Sequence, residues 1–346
     1  MAAAALAGCQ GSGSSQAPGA FPPVNPSGSR AQYVLVSDAC ADAGLVFSLG
    51  TNTAPTVPTA PTDNYSGAST SLDAPYNAFV DNSGNEWFSN YTGASVTYTA
   101  VNKNGNAAPT KKLSGATTTL SGPTGIYVDQ ASGVNRYLYV ADYSVNKIDI
   151  FQVSLMSGSS PDIAPTWTIS GGTTGLSRPE ALTLDSSGNI WVANYGGKDI
   201  LEFSNPTGGA PGNYSGSPIE TLGGATSTLV GPLGLALDRS GKIWIGDYSN
   251  EIDEFSASSG AGVIDPAPYL TISNGAISEP YGVAVDSGGN VYEVGYAAPT
   301  LNMWTASSLK AGSNTGAPSY VVSGASSKLD CPAGLQAYST SGTTDV

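Results

Sequence analysis

The sequence predicts an all-β protein, a six-bladed β-propeller of four-stranded antiparallel blades, on three observations. Gly is abundant, with 44 copies in 346 residues, whereas only 11% of residues are charged, against about 25% in typical globular domains. Residues that favour helices, such as Glu, Lys and Arg, are therefore scarce, and turn-forming residues are frequent. One motif recurs at a regular interval, and the two ends of the chain together supply a further copy.

The recurring motif begins with Pro-x-Gly and an alternating apolar run, continues with Asp-x-x-Gly, and ends with an aromatic strand followed by Asp or Asn and Tyr. In the fourth copy these parts are residues 232–237, 238–242 and 244–248. Successive copies are 48, 56, 53, 48 and 52 residues apart, because they open at Pro75, Pro123, Pro179, Pro232, Pro280 and Pro332. A period of about 50 residues with several short strands per unit is typical of propeller blades.

Each part of the motif has a predicted structural role. Pro-x-Gly begins the innermost strand, where backbones converge, and the Asp-x-x-Gly segment forms the hairpin to the second strand. The third strand ends in Ile-x-x-Phe, and the fourth carries a proline, as at 165–170, which suits an edge strand because proline cannot donate to a ladder. The aromatic residues of the second strands are expected to pack between blades; they are Trp87, Tyr139, Trp191, Trp244 and Tyr292.

This combination resembles the NHL-repeat propellers over roughly residues 31–346. Virginiamycin-lyase-like and gluconolactonase-like propellers share much of the same blade pattern. Lyase activity in the first group needs a histidine, and this chain contains none, so that activity is set aside. The lack of histidine also removes the commonest general base and every Ser-His or Cys-His nucleophile arrangement.

The last blade is expected to be closed by both ends of the chain. The C-terminal part supplies only an inner strand, from Gly334 to about residue 340, with Tyr338 in place of the hairpin Asp. Residues 34–38 match the second strand, residues 45–47 the third, and the segment after Pro55 the fourth.

That alignment places two cysteines on one face of the closing blade. Cys40 follows the second strand and Cys331 precedes the inner strand. We therefore predict a Cys40–Cys331 disulfide in an oxidising compartment, worth roughly 4–5 kcal/mol by chain-entropy arguments. The alternative is two free, buried cysteines.

Residues 1–30 are expected to lie outside the propeller. Leu6-Ala7-Gly8-Cys9 resembles the lipobox of bacterial lipoproteins, in which the signal peptide is cut before a cysteine that is then lipidated. Residues 1–8 would be a signal-peptide remnant and residues 9–30 a Gly/Ser/Pro-rich tether, although a chance cysteine after small residues is the alternative. The resemblance implies a periplasmic or surface lipoprotein of a bacterial envelope, or a secreted protein, that reaches the membrane only through a lipid.

The net charge limits the classes of partner that the chain is expected to bind. The net charge is −14, with 12 basic and 26 acidic residues, so the chain lacks a basic surface for nucleic acid. A protein, peptide or glycan is the expected partner, and the protein is expected to be a monomer. No cofactor is firmly expected, and calcium is the only candidate.

Candidate site residues lie at the mouth of the channel. Glu180 follows the third inner-strand proline, where gluconolactonase-like propellers place a metal ligand, and most second strands end in an oxygen-bearing side chain that suits Ca²⁺. The predicted metal set is Asp38, Asn90, Asp142, Glu180, Asn194 and Asp247, although Asp and Asn also cap turns at strand ends.

The tyrosines that follow the second strands are candidates for a ligand-binding face, although tyrosines at strand ends also pack in ordinary ways; they are Tyr91, Tyr143, Tyr195, Tyr248 and Tyr296.

Three functional hypotheses follow. The favoured one is a non-enzymatic, envelope-anchored module that binds a protein, peptide or glycan, because no nucleophile–base pair is evident. The second is a calcium-dependent, gluconolactonase-like hydrolase that uses the metal set. The third is a structural envelope component without a small ligand. Fold alone does not choose among them.

Overall fold

Six sheets follow one another along the chain and surround a central channel. The computed structural model describes residues 31–51, 54–55, 57–100, 104–129, 135–256 and 261–338. The inner strands contact one another in order, and the sixth contacts the first, so the ring is closed. The predicted six-bladed β-propeller is confirmed, whereas the predicted signal remnant, tether and lipidated Cys9 lie outside the described residues.

The first three blades are consecutive stretches of chain, each with its strands in order from the channel outwards. Blade 1 contains Pro75–Val80, Glu86–Asn90, Ser95–Thr99 and Lys111–Leu113; blade 2 contains Pro123–Val128, Tyr137–Asp142, Lys147–Gln152 and Trp167–Ile169; and blade 3 contains Pro179–Leu184, Ile190–Asn194, Asp199–Phe203 and Glu220–Leu222.

The remaining blades follow the same order. Blade 4 contains Pro232–Leu237, Ile243–Asp247, Glu251–Phe255 and Leu270–Ile272; blade 5 contains Pro280–Val285, Val291–Gly295, Thr300–Trp304 and Tyr320–Val322; and blade 6 contains Pro332–Tyr338, Tyr33–Asp38, Ala43–Ser48 and Asp63–Ser66. Gly50–Thr51 pairs with Ala54–Pro55, and short 3₁₀ helices are Ala116–Thr118, Tyr143–Val145, Val153–Leu155, Gly172–Thr174, Pro206–Gly208, Ala306–Ser308 and Ala325–Ser327. Among the described residues, no helix is long and apolar enough to cross a membrane.

Blade 6 joins the two ends of the described chain, as the sequence predicts. Tyr33–Asp38 pairs antiparallel with Pro332–Tyr338. Beside this pair, Cys40 and Cys331 form a disulfide with their Cα atoms 5.2 Å apart, which confirms the predicted bond. The seam is therefore held by a strand ladder and a covalent link.

The hairpin aspartates have more bonding partners than a turn alone requires. Asp286 Oδ1 accepts hydrogen bonds from the backbone N–H groups of Gly288 and Asn290, both at 2.9 Å. Its Oδ2 accepts from the Tyr292 hydroxyl at 2.8 Å, and in blade 1 Trp87 Nε1 donates to Asp81 Oδ2 at the same distance. The motif therefore couples Asp to the aromatic residue six positions later, which is buried between blades as predicted.

Glycine in Pro-x-Gly allows neighbouring inner strands to approach closely. A Cβ on Gly125 would lie 2.7 Å from Ala181 Cα in the next blade, and one on Gly334 would lie 2.4 Å from Asn77 Cα across the seam. Neither backbone could move aside without opening the ring, so a larger side chain is excluded at both positions.

Blades 2, 3 and 4 have five strands, whereas the sequence predicts four. The chain of the following blade adds a short parallel strand to each outer strand; these perimeter strands are Gly212–Tyr214, Gly262–Ile264 and Gly312–Asn314. The expectation that the proline-preceded fourth strand is an edge is wrong for these blades, because the prolines lie just before the strand and leave its outer side free to pair.

Candidate binding site at the channel mouth

The acidic and amide side chains that end the second strands bind the backbone of their own blade. Each accepts hydrogen bonds from N–H groups in the loop before the inner strand. The pairs are Asp38 with Asp330 and Cys331, Asn90 with Asp73, Asp142 with Ser121 and Gly122, Asn194 with Ser177, and Asp247 with Val230 and Gly231. These side chains thus act as caps that position the loops around the mouth.

The predicted metal set does not converge on one point. The cap oxygens face separate loops, and the described residues contain no group of three or more His, Cys, Asp or Glu side chains that could hold a metal ion. Glu180 is near tyrosines rather than near the other predicted ligands. Calcium binding therefore stays a prediction, with no assembled ligand group in the described residues to carry it.

Four of the five tyrosines after the second strands are held by the same loops, and in blade 3 the N–H of Gly196 makes the equivalent bond to Ser177 O. The backbone N–H of Tyr143 donates to Gly122 O at 3.0 Å, and that of Tyr248 donates to Gly231 O at 2.9 Å. Tyr91 and Tyr296 bond in the same way to the residues before Pro75 and Pro280. The backbone of these residues is therefore anchored beside the inner strands, and ligand contact stays a prediction.

Two tyrosines that sequence reasoning missed extend this arrangement. Tyr76 and Tyr281 follow the inner-strand prolines of blades 1 and 5, at the position that Glu180 occupies in blade 3. Together the seven form the tyrosine collar: Tyr76, Tyr91, Tyr143, Tyr195, Tyr248, Tyr281 and Tyr296. The sequence feature that could have revealed them is the position after each inner-strand proline, where the residue differs between blades.

Contacts between rings run along the collar. The centroid distances are 5.2 Å for Tyr76–Tyr91, 6.1 Å for Tyr91–Tyr143, 6.4 Å for Tyr143–Tyr195 and 6.0 Å for Tyr195–Tyr248. Tyr76 also contacts Tyr281 at 5.8 Å and Tyr296 at 6.3 Å, and Tyr281 contacts Tyr296 at 5.0 Å. These separations lie in the range in which aromatic rings attract each other.

The collar encloses a cavity of about 140 Å³ with one acid in its wall. This mouth cavity is lined by Tyr76, Tyr91, Thr124, Tyr143, Glu180, Tyr195 and Tyr281. Glu180 is only 7% exposed, and burial raises the pKa of its carboxyl from 4.5 to about 8. Below the mouth, the channel is lined by inner-strand residues of all six blades.

Two phenols beside Glu180, those of Tyr76 and Tyr281, stay protonated at neutral pH. Burial raises the pKa of Tyr281, and the Glu180 charge raises it further. Burial likewise raises the pKa of Tyr76, with smaller contributions from Tyr296 and Glu180. The cavity therefore presents these two neutral phenols beside the Glu180 carboxyl group.

Comparisons with known proteins show the fold alone. No family model matches the sequence, and no curated protein matches it. A chain of the nidogen/laminin complex is similar over 88% of this chain and 97% of that one, at 13% identity and a TM-score of 0.58. A protein of unknown function from Bacteroides caccae covers 88% and 98%, at 10% identity and 0.57, and a streptogramin B lyase covers 84% and 85%, at 14% identity and 0.51. The likeness establishes a β-propeller, and the NHL assignment stays a prediction.

Proposed function

We propose that the protein is an extracytoplasmic binding module that takes one group of a protein, peptide or glycan ligand into the mouth cavity. The observation that carries the proposal is the tyrosine collar around that cavity. Tyrosine offers a rigid apolar ring and a polar tip, which is why it is enriched in binding surfaces. Tyr248, which is 44% exposed, extends the surface beyond the cavity.

The contents of the cavity favour binding over catalysis. Among the described residues, Glu180 supplies the only carboxyl group in the cavity wall, whereas glycoside hydrolysis uses two and metal-assisted hydrolysis needs several ligands. The chain has no histidine to serve as a base. The similar chain from the nidogen/laminin complex supports a protein partner as one possibility to test.

The disulfide and the Leu-Ala-Gly-Cys segment support a location outside the cytoplasm. A Cys40–Cys331 bond persists in oxidising compartments and is rare in the cytosol. Lipidation of Cys9 would hold the propeller at a bacterial envelope. Metabolic labelling with a fatty-acid analogue tests this, because Cys9→Ala should abolish labelling while Cys40→Ala should not.

Ligand selection tests the binding proposal. The full chain is screened against a displayed random-peptide library and a glycan array, and each hit is measured against Tyr143→Ala and Tyr195→Ala. Tyr269→Ala is the matched control, because Tyr269 is 51% exposed and lies away from the cavity. Loss of binding in the two collar variants alone supports the proposal; hits that bind all three variants equally, or no hits, contradict it.

A further inference from the structure

Glu180 is a buried acid without a partner. It is 7% exposed and makes no hydrogen bond or ion pair with any described residue. Burying an ionisable carboxyl without a partner is costly, so such groups are usually paired or bind a ligand. Here the unpartnered carboxyl opens onto a cavity, which places it where a ligand could supply the missing charge.

The surroundings of Glu180 suit a cation that is weakly hydrated. Five tyrosines line the cavity beside it: Tyr76, Tyr91, Tyr143, Tyr195 and Tyr281. The faces of aromatic rings attract cations, and cages of such rings hold quaternary ammonium groups. One carboxyl group with five rings therefore combines both attractions in a single small space.

The rings already attract a cation from the protein itself. The Arg178 guanidinium lies over the Tyr195 ring, 5.1 Å from its centroid. Arg178 is exposed and forms no ion pair with Glu180, so it occupies the rim and leaves the carboxyl free.

The carboxyl group and the rings that line the mouth cavity favour one kind of cation over others. A hard metal ion takes six or more oxygen ligands, and only one carboxyl group is present. A primary ammonium carries three N–H donors that all need acceptors. A quaternary ammonium has no N–H to satisfy and needs only rings and a negative charge. The cavity is also of the right order of size, since a cavity of about 150 Å³ accommodates a benzene ring.

We infer that the mouth cavity binds a quaternary ammonium group, held by Glu180 and the surrounding tyrosines. The inference rests on the proposed binding function and names the chemical class of the inserted group. The net charge of −14 attracts cations to the protein as a whole, which assists capture without determining the site.

Calorimetry with choline and its neutral carbon isostere, 3,3-dimethyl-1-butanol, tests the charge. We expect the full chain to bind choline at least about tenfold more tightly than the isostere, and Glu180→Gln to remove this preference. Glu293→Gln is the matched control, since Glu293 is also fully buried but lies outside the cavity. Equal affinities for the two probes, or a preference that survives in Glu180→Gln, overturn the inference.

Variants of Tyr143 test the rings. Tyr143→Phe keeps the ring and should keep choline binding, whereas Tyr143→Leu should weaken it by about fivefold or more. Ethanolamine should bind more weakly than choline, and an equal or higher affinity overturns the assignment to a quaternary ammonium. If choline fails but selected ligands still depend on Tyr143 and Tyr195, this inference alone falls; if the collar variants change nothing, the proposed function falls with it.

Discussion

Asp38 and Asp330 are 292 residues apart in the chain, yet the backbone N–H of Asp330 donates a 2.7 Å hydrogen bond to Asp38 Oδ2. Asp38 Oδ1 also accepts from the N–H of Cys331 at 3.1 Å. One fully buried carboxylate from the first strand therefore holds the loop that leads into the last strand. The propeller is closed by this cap as well as by its ladder and its disulfide.

Replacing Asp38 by Ala should lower the free energy of unfolding by about 2–4 kcal/mol, because buried N–H groups lose their acceptor. Urea denaturation followed by circular dichroism measures this. Asp330→Ala is the control, because Asp330 is exposed and alanine keeps the N–H. Equal midpoints for the two variants would show that the cap does not hold the seam.

The Cys40→Ser/Cys331→Ser double variant should lose about 2–5 kcal/mol of stability, since the disulfide closes a very long loop in the unfolded chain. Denaturation with and without reductant measures the loss. The reductant should destabilise the wild type to the same extent and leave the double variant unchanged. An unchanged midpoint in the double variant would contradict a stabilising role.

Stability should fall as the pH rises from about 4.5 to about 8. Burial raises the pKa of Glu86, Glu180 and Glu293 from 4.5 to about 8, so the folded state binds more protons than the unfolded state in this range. An acid whose pKa is raised in the folded state contributes most to the stability of the protein below its unfolded pKa. This contribution is lost as the pH rises to its folded pKa. Thermal melts should therefore give a higher Tm at pH 5 than at pH 8.5.

Glu293→Gln should reduce that difference in Tm, because an amide does not ionise. Glu279→Gln, at a partly exposed glutamate, should leave it unchanged. An equal Tm at pH 5 and pH 8.5 in the wild type would contradict the raised pKa values of these buried acids.

Choline affinity should increase with pH up to about 8, because the cation binds the ionised form of Glu180. The apparent dissociation constant should rise by up to about tenfold for each pH unit below that value. The raised pKa values of Tyr76, Tyr143 and Tyr281 keep those phenols neutral in this range, so they do not contribute to the trend. Calorimetry at pH 6, 7 and 8.5 measures the trend, which Glu180→Gln should abolish.

Calcium should have little effect on thermal stability, because the cap oxygens already accept backbone hydrogen bonds. Melts in millimolar calcium and in chelator should coincide. A calcium-induced rise of several degrees that is absent from Asp142→Ala and Asp247→Ala would instead support the metal-dependent hydrolase.

The sequence predicted the elements that repeat. Each hairpin Asp and each inner-strand Pro recurs, so their shared role could be inferred from one copy. The site is built from what differs between copies: Tyr76, Glu180 and Tyr281 occupy one equivalent position in different blades. Their proximity depends on the ring bringing those blades to a common mouth, which a comparison of single repeats does not reveal.

Whether the strand-end acids bind a metal or cap a turn was also hard to predict from sequence. Asp142 and Asp247 suit either a metal or a turn, and the choice depends on which N–H groups lie nearby. Those donors are in the loop before the same blade's inner strand, 20 residues earlier in the chain for Asp142 and 16 for Asp247. The perimeter strands were missed for a similar reason, because strands of three residues pair only in the presence of the neighbouring blade.

The perimeter strands bear on how the ring divides into blades. Gly212–Tyr214 lies within the chain of blade 3 but completes the sheet of blade 2. Removing the residues of blade 3 would therefore also remove a strand from the sheet of blade 2. The sheet of a blade and the stretch of chain that carries its main strands are therefore not the same unit.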